Sequence, residues 1–180
     1  MAGILILFGT GEGQTRKVAN RISRVVQEKG HEAMVVQGNK APEDFSAAGF
    51  DAAFVGTSIH MGLHQLSVRR LVRDNIESFN RIPTAYFCVC LHACGKKEKD
   101  RKQAQAYIDD FNKYTGLQPR KMAVFAGALR YPYYNFVKRY VAKLVARRVG
   151  ADTDTRQEYY EYTDWEAVDA FAVEFLESIE

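Results

Sequence analysis

The chain has 180 residues, of which 47% are hydrophobic and 26% are charged, with a formal net charge of +3 and three cysteines. This is enough apolar material for one core, and three cysteines in a chain of this size do not make a disulfide framework. No segment is apolar for long enough to cross a bilayer, and the first apolar segment lacks the basic start of a secretion signal. These properties argue against a secreted disulfide scaffold and a membrane-spanning protein. They predict a cytoplasmic protein with a single domain over residues 1–180.

Strand-like and helix-like segments alternate along the chain from residue 3 to residue 129. The predicted strands cover residues 3–8, 32–37, 51–59, 83–91 and 121–129. The helices predicted between them are one that buries Val18, Ala19, Ile22, Val25 and Val26 and ends at Gly30, and two more over residues 66–79 and 101–114. This alternation predicts an α/β fold in which helices cover both faces of a five-stranded parallel sheet.

A basic, aromatic-rich segment follows the fifth predicted strand. Residues 111–151 contain nine Lys or Arg and no acid, whereas residues 152–180 contain ten acids and one Arg. A helix is predicted over about 135–149, with an apolar stripe of Phe136, Val137, Tyr140, Val141, Leu144 and Val145. The last predicted helix starts at about residue 164 and buries Trp165, Val168, Phe171, Ala172, Phe175 and Ile179. We therefore predict a helical insertion at about 130–157, after or within the fifth strand.

The sequence GTGEGQT, residues 9–15, joins the first predicted strand to the first predicted helix. Its three glycines let the backbone turn N–H groups inward, and the N-terminus of the following helix attracts an anion. Thr10 and Thr15 add hydroxyl groups, so a phosphate is the predicted occupant. Gln14 and Arg16 stand where a dinucleotide fingerprint needs a small residue, and no G-x-x-x-x-G-K-[ST] is present. NAD and a nucleoside triphosphate are therefore disfavoured.

The spacing of this loop resembles the phosphate loop of flavodoxins, which surrounds the monophosphate of FMN. That resemblance assigns the phosphate to Thr10, Gly11, Glu12, Gly13, Gln14 and Thr15. It also places the flavin ring between two loops at the same edge of the sheet, one after the third strand and one after the fourth. The first wall would be Ser58, Ile59, His60, Met61 and Gly62, and the second Leu91, His92, Ala93, Cys94 and Gly95.

Over nearly its whole length, the chain resembles the flavodoxin-like, menaquinone-dependent protoporphyrinogen oxidases (protoporphyrinogen IX dehydrogenases). The stretches that carry the resemblance are LILFGTGEGQTRKVA, VGTSIHMGLH, FAGALRYPYYNFVKRYVAKLV, DTDTR and YTDWEAV. The resemblance implies that the α/β fold is flavodoxin-like and that the protein is an FMN-dependent oxidoreductase of haem biosynthesis. Such an enzyme oxidises protoporphyrinogen IX to protoporphyrin IX and passes the electrons to menaquinone or another membrane quinone.

The basic segment supplies the candidate contacts for such a substrate, a large apolar macrocycle that bears carboxylates. Its tyrosines offer stacking area, and its Arg and Lys side chains can pair with propionates. The predicted substrate-binding residues are Arg130, Tyr131, Tyr133, Tyr134, Lys138 and Arg139. No general base is assigned, and the candidates by position alone are His60, His92 and Tyr131.

The predicted basic helix suits the inner face of an anionic membrane, where a quinone would lie, so we expect peripheral membrane contact. A helix of this kind also covers a sheet edge or a partner subunit, so a homo-oligomer is the alternative. No nucleic-acid-binding module is recognisable, and we expect no nucleic-acid partner. We expect no metal, because Cys88 and Cys90 fall in a strand-like segment where a buried thiol is the commoner interpretation.

Two other functions remain open from the sequence. A flavodoxin-type electron carrier has the same fold and cofactor, but such carriers are strongly acidic, whereas this chain has a pI near 8.7. A general FMN-dependent quinone reductase would bind nicotinamide by stacking and leave little trace in the sequence.

Overall fold

A parallel sheet of five strands forms the centre of the computed structural model, which describes residues 1–129, 136–154 and 159–179. The strands are β1 (Gly3–Gly9), β2 (Glu32–Gln37), β3 (Ala52–His60), β4 (Leu63–His64), β5 (Thr84–Cys90), β6 (Lys121–Ala126), β7 (Ala128–Leu129) and β8 (Tyr160–Glu161). The order across the main sheet is β2-β1-β3-β5-β6, and the short strand β4 pairs antiparallel with β3. Strands β7 and β8 form a separate antiparallel pair. The predicted flavodoxin-like sheet is confirmed.

Helices cover both faces of this sheet. They are α1 (Gln14–Glu28), α2 (Leu66–Asp74), α3 (Ile76–Arg81), α4 (Glu98–Thr115) and α6 (Trp165–Glu177), whereas a further helix, α5 (Phe136–Val149), packs against β7 and β8. Strand β1 supplies both cores by alternation: Ile4 and Ile6 pack in the cluster with α1 and α6, whereas Leu5 and Leu7 pack in the cluster with α2, α3 and α4. All four side chains are completely buried, and each contributes about 1.5–3 kcal/mol of hydrophobic stabilisation.

Helix α1 has the boundaries and the buried face that the sequence predicts. It begins after Gly13, whose φ of 93° no β-carbon-bearing residue adopts readily, and it ends before Gly30, whose φ is 83°. Its predicted apolar residues are all buried. The glycine-rich loop therefore places the N-terminus of α1 beside the carboxyl end of β1.

The single helix predicted over residues 66–79 is wrong, because Asn75 divides it into α2 and α3. The backbone of Asn75 leaves the helical region, with φ −116° and ψ 22°, and its side-chain amide donates to the carbonyl of Leu71 at 3.0 Å. An asparagine side chain competes in this way with the backbone hydrogen bonds of a helix.

The predicted fifth strand ends three residues early, at Ala126, and the chain then leaves the sheet. Gly127 separates β6 from β7, which pairs with β8 instead of continuing the parallel sheet. Helix α5 packs over this small antiparallel pair, with Ala146 and Val149 buried.

The apolar stripe predicted for α5 is wrong at two positions, since Tyr140 is 61% exposed and Leu144 is 48% exposed. The inward face instead carries Ala142 and Ala146, which pack in one cluster with Leu129. The small side chains of Ala142 and Ala146 let the helix pack closely against Leu129 of β7. The larger residues Tyr140 and Leu144 therefore face outward. The side chains of residues 136–139 and 141 lie outside the description.

Helix α6 closes the first face as predicted. Asp164 caps it by accepting a hydrogen bond from the backbone N–H of Ala167 at 3.0 Å. Its inward face buries Val168, Phe171, Ala172, Phe175 and Leu176, with Trp165 and Ile179 partly buried against the same core. Across the described ranges, no helix has the length and apolar character needed to span a membrane.

Candidate functional site

The glycine-rich turn at residues 9–15 forms a cradle at the carboxyl end of β1. Gly13 donates its N–H to the hydroxyl of Thr10 at 2.8 Å, and Gly11 donates its N–H to the hydroxyl of Ser58 at 3.3 Å. A β-carbon on Gly9 would lie 2.7 Å from atoms of Gln65 in the segment that leads into α2, so only glycine fits there. Hydrogen bonds within the turn and to Ser58 on the neighbouring strand therefore fix its conformation.

Thr15 is the residue of this cradle whose surroundings best fit an anion. The residue is fully buried in the first turn of α1, yet its hydroxyl has no hydrogen-bond partner among the described residues. The first turn of α1 also contains no acidic residue. A buried hydroxyl without a partner costs roughly 1–3 kcal/mol, and a phosphate oxygen at the helix N-terminus would remove that cost.

The first predicted wall is a tight hairpin. Strand β3 ends at His60, and Met61 and Gly62 form the turn that follows, with φ angles of 50° and 81°. Strand β4 then pairs antiparallel with the end of β3. Two consecutive positive φ values are typical of a type I′ turn, which fits the twist of paired strands. The hairpin presents residues 58–62 to one side of a cavity.

The second predicted wall is only partly brought into the same cavity. Residues 91–94 form a single 3₁₀ turn after β5, and Leu91 and His92 line the cavity. The lining does not include Ala93, Cys94 and Gly95, which surround a shallower depression beside α4. Gly95 is needed there, because a β-carbon would lie about 2.4 Å from the buried Asp100.

The cavity between these walls has a volume of about 330 Å³ and two chemically different ends. The cradle forms the polar end, and β7 and α5 form the apolar end. The predicted residues in its lining are Thr10, Gly11, Glu12, Gln14, Thr15, Ser58, Ile59, His60, Met61, Gly62, Leu91 and His92. The other lining residues are Val89, Cys90, Tyr107, Gly127, Ala128, Leu129, Ala142 and Val145, so Gly13 supports the cradle without lining the cavity.

Two of the candidate proton-transfer residues face this cavity. His60 has its Nδ1 3.7 Å from a carboxylate oxygen of Glu12, and about a third of its side chain is exposed. Burial lowers the pKa of His92 below its usual value, and Arg148 adds to that shift. The ring of Tyr107 on α4 meets the ring of His92 edge-on, with 5.7 Å between centroids.

The thiols of β5 are buried beside the cavity. The pKa of Cys90 is lowered by a hydrogen bond from Cys88, with further donation from the backbone N–H groups of Ala93 and His92. Burial raises the pKa of Cys88 well above its usual value. No group of three potential metal ligands occurs in the part of the chain that the structure describes.

The predicted substrate residues fall mainly outside the description. Arg130, Tyr131, Tyr133 and Tyr134 precede α5 and lie outside the described residues. Lys138 and Arg139 belong to α5, but their side chains are outside the description. No sequence signal distinguished the apolar cavity residues, because their positions depend on how α4 and α5 pack.

The donor set and the shape of the cavity fit a phosphate monoester attached to a flat ring. The cradle offers hydroxyls, backbone amides and a helix N-terminus to the phosphate. Beyond it lie the hairpin and the residues after β5, which line the cavity as two walls.

Comparison with known proteins points in the same direction. Residues 5–156 match the model of the flavodoxin domain family. The chain is 36% identical over 170 residues to the protoporphyrinogen IX dehydrogenase [quinone] of Escherichia coli strain K12, covering 94% of this chain and 92% of the relative. It is 30% identical over 171 residues to the Leishmania major protein of the same name, covering 95% and 73%.

The fold is similar to that of solved flavodoxins. The crystal structure of Fusobacterium nucleatum flavodoxin bound to flavin mononucleotide aligns over 100% of both chains, with a TM-score of 0.55 and 8% identity. At this identity, the similarity establishes the fold alone.

Proposed function

The chain belongs to the flavodoxin domain family and, within it, to the family of protoporphyrinogen IX dehydrogenases [quinone], and from this premise we propose that it oxidises protoporphyrinogen IX with bound FMN. Six electrons and six protons leave the substrate in three two-electron steps, and each step reduces one quinone to its quinol. The observation that carries the proposal is the two-ended cavity, which joins an anion cradle to an apolar space closed by α5.

The polar end of the cavity would hold the cofactor. The cradle from Thr10 to Thr15 would bind the FMN phosphate, with the hydroxyl of Thr15 as a donor. The hairpin at 58–62 and the residues Leu91 and His92 would face the two sides of the ring. When bound, FMN supplies two-electron oxidation chemistry, while the protein orients its partners and excludes water.

The apolar end of the cavity would receive the macrocycle or the quinone ring. Leu129, Ala142 and Val145 line that end, and the basic helix α5 carries them or packs against them. The carboxylates of a porphyrinogen would meet Arg130, Lys138 and Arg139, and the tyrosines at 131, 133 and 134 would supply stacking area. Ala93, Cys94 and Gly95 would support the second wall from behind.

Two histidines could accept the protons that the substrate loses. His92 is the stronger candidate, because its lowered pKa keeps the imidazole neutral near pH 7 and it lines the cavity. His60 is more exposed and lies beside Glu12, a position suited to passing a proton outward. Tyr131 is the third candidate.

The exposed face of helix α5 suits peripheral contact with a membrane. The outward face of α5 exposes Tyr140 and Leu144, and the basic residues Arg147 and Arg148 are exposed on the same helix. An exposed apolar surface flanked by cations binds anionic bilayers through both burial and charge. We propose that α5 rests on the inner face of the cell membrane, so that the quinone reaches the apolar end of the cavity.

The decisive experiment measures protoporphyrin fluorescence in the absence of oxygen. FMN-loaded protein is mixed with protoporphyrinogen IX and a soluble menaquinone analogue, and each component is omitted in turn. We expect fluorescence to rise only in the complete mixture. A flat trace from protein with a normal bound-flavin spectrum would contradict the proposed activity and favour an electron carrier. Failure to retain FMN would contradict the cofactor assignment.

A further inference from the structure

His64 is a buried histidine that does not line the cavity but lies directly behind one of its walls. It occupies β4, at the base of the hairpin, and only 6% of the residue is exposed. Its Nε2 lies 2.8 Å from the backbone carbonyl of Tyr107 on α4. A carbonyl only accepts, so Nε2 carries the proton and donates it.

The second ring nitrogen of His64 must then accept. Its Nδ1 lies 3.0 Å from the hydroxyl of Thr57 on β3 and 3.3 Å from the hydroxyl of Tyr86 on β5. These two hydroxyls are themselves 2.8 Å apart. The imidazole therefore connects three elements: β3, β5 and α4.

The surroundings of His64 keep this ring neutral. Burial lowers its pKa to about 4, and Arg69 acts in the same direction. The carbonyl of Tyr107 and the carboxylate of Asp110, 3.9 Å from Nε2, act in the opposite direction. Only the neutral ring can accept at Nδ1 while it donates at Nε2, so the hydrogen-bond pattern requires this charge state.

The hairpin gains from such an anchor because its own ladder is short. Its ladder consists of two residue pairs, Ile59 with His64 and His60 with Leu63, and it projects beyond the end of the main sheet. Met61 and Leu63 at its tip are 65% and 66% exposed. A two-stranded hairpin of this size is marginally stable by itself.

Tyr107 extends the connection to the opposite wall. Its carbonyl accepts from His64, its ring lines the cavity, and the same ring contacts His92 edge-on. The His64 ring also meets the Tyr107 ring at 90°, with centroids 6.2 Å apart. One residue of α4 thus touches the anchor of the first wall and a side chain of the second.

We propose that His64 is a positioning residue, and that the clasp formed by Thr57, His64 and Tyr107 sets the separation of the two cavity walls for a planar ring. This inference rests on the proposed binding of FMN and assigns a role to a residue outside the cavity lining. The clasp acts on the ring end of the ligand. The cradle that takes the phosphate has its own contacts, from Thr10 to Gly13 and from Ser58 to Gly11.

The test compares His64→Leu, which removes both hydrogen bonds, with His64→Gln, which keeps an N–H donor for the Tyr107 carbonyl. The control is His31→Leu, because His31 is also hydrogen-bonded through Nδ1, to the N–H of Ala2 near the opposite end of the sheet. Three quantities are measured: the FMN dissociation constant from flavin fluorescence quenching, the visible circular dichroism of bound flavin, and the affinity of the cofactor-free protein for inorganic phosphate.

We expect His64→Leu to weaken FMN binding at least about tenfold and to change the flavin dichroism, with phosphate affinity unchanged. His64→Gln should recover most of the affinity, and His31→Leu should behave as the parent protein. Equal FMN affinity and equal dichroism in His64→Leu would overturn the proposal. A parallel loss of phosphate and FMN affinity in a variant that is still folded would also overturn it, because the clasp would then act on the whole site and not on the ring end.

If His64→Leu does not fold, Thr57→Val decides the matter, because it removes the hydroxyl beside Nδ1 with little change in volume. Changed flavin dichroism with unchanged phosphate affinity would support the clasp, and parent-like values for both would overturn it. Parent protein that does not bind FMN at all would instead contradict the proposed function.

Discussion

The two ends of the cavity are built in different ways. The polar end consists of a short, continuous turn whose shape is set by glycines and whose donors come from one helix N-terminus. The apolar end consists of β7 and α5, which reach the cavity only after the chain has left the parallel sheet. The difference teaches that local backbone geometry builds the cradle proposed for the phosphate, whereas the packing of a separate helix builds the apolar end.

The hairpin beside the cradle is anchored by a buried polar group, so the protein should lose stability in acid through His64. Its pKa is about 4 in the folded chain and about 6.5 when unfolded, so the unfolded chain binds the extra proton between these values. The stabilisation is complete above about pH 6.5 and is lost as the pH falls toward about 4. The loss attributable to this group is on the order of 3 kcal/mol.

Urea unfolding near pH 7 and near pH 4.5 measures this effect, with His64→Gln as the reference. Other groups also titrate in this window, so the quantity of interest is the difference between the two proteins. An identical acid dependence in the parent and the variant would show that His64 is not held neutral.

Removal of the Thr15 hydroxyl, which has no hydrogen-bond partner among the described residues, should have the next largest effect. We expect Thr15→Val to weaken FMN binding about 10- to 100-fold, since a hydrogen bond to a charged group contributes about 1.5–3 kcal/mol. The stability of the cofactor-free protein should stay the same or rise, because no hydrogen bond to a described residue is lost.

Thr115→Val is the matched control, because Thr115 is equally buried but donates to the carbonyl of Phe111 at 2.8 Å. It should lower stability and leave FMN affinity unchanged. Isothermal titration calorimetry and thermal unfolding of both variants check the contrast, and equal FMN affinity in Thr15→Val and the parent would refute it.

A bulky side chain at the apolar end of the cavity should weaken substrate binding without weakening FMN binding. Val145→Trp adds bulk where α5 faces the cavity, so we expect the KM for protoporphyrinogen to rise about tenfold, equivalent to about 1.4 kcal/mol. The FMN dissociation constant should change little, because the cradle is at the other end. Steady-state kinetics and flavin titration check this, and a large loss of FMN with an unchanged KM would reverse our assignment of the two ends.

The smallest effect on the folded protein should come from the outward face of α5. Replacing Tyr140 and Leu144 together by Ser should change stability by no more than about 0.5 kcal/mol, because both are exposed. Binding to vesicles rich in anionic phospholipid should fall. Cosedimentation measures it, with neutral vesicles and added salt as controls, and undiminished binding would place the membrane contact elsewhere.

The same contrast explains what the sequence could predict. The parallel sheet, α1 and the cradle follow from alternation and from glycine positions, which are local properties of residues 3–30. Periodicity indicated that α5 is amphipathic, but it could not show that Ala142 and Ala146, rather than Tyr140 and Leu144, face the protein. Tyr107 was missed because its place beside His92 depends on how α4 packs across β5.

The buried hydroxyl of Thr15 also bears on the lifetime of the protein in a cell. Within the described part of the chain, the cofactor-free cradle holds a buried hydroxyl without a hydrogen-bond partner. Ligand binding stabilises the folded state in proportion to the logarithm of the free ligand concentration over its dissociation constant. Chains made when flavin is scarce would open more often and would be degraded faster by proteases. The abundance of the enzyme would then follow the flavin supply without any dedicated regulator.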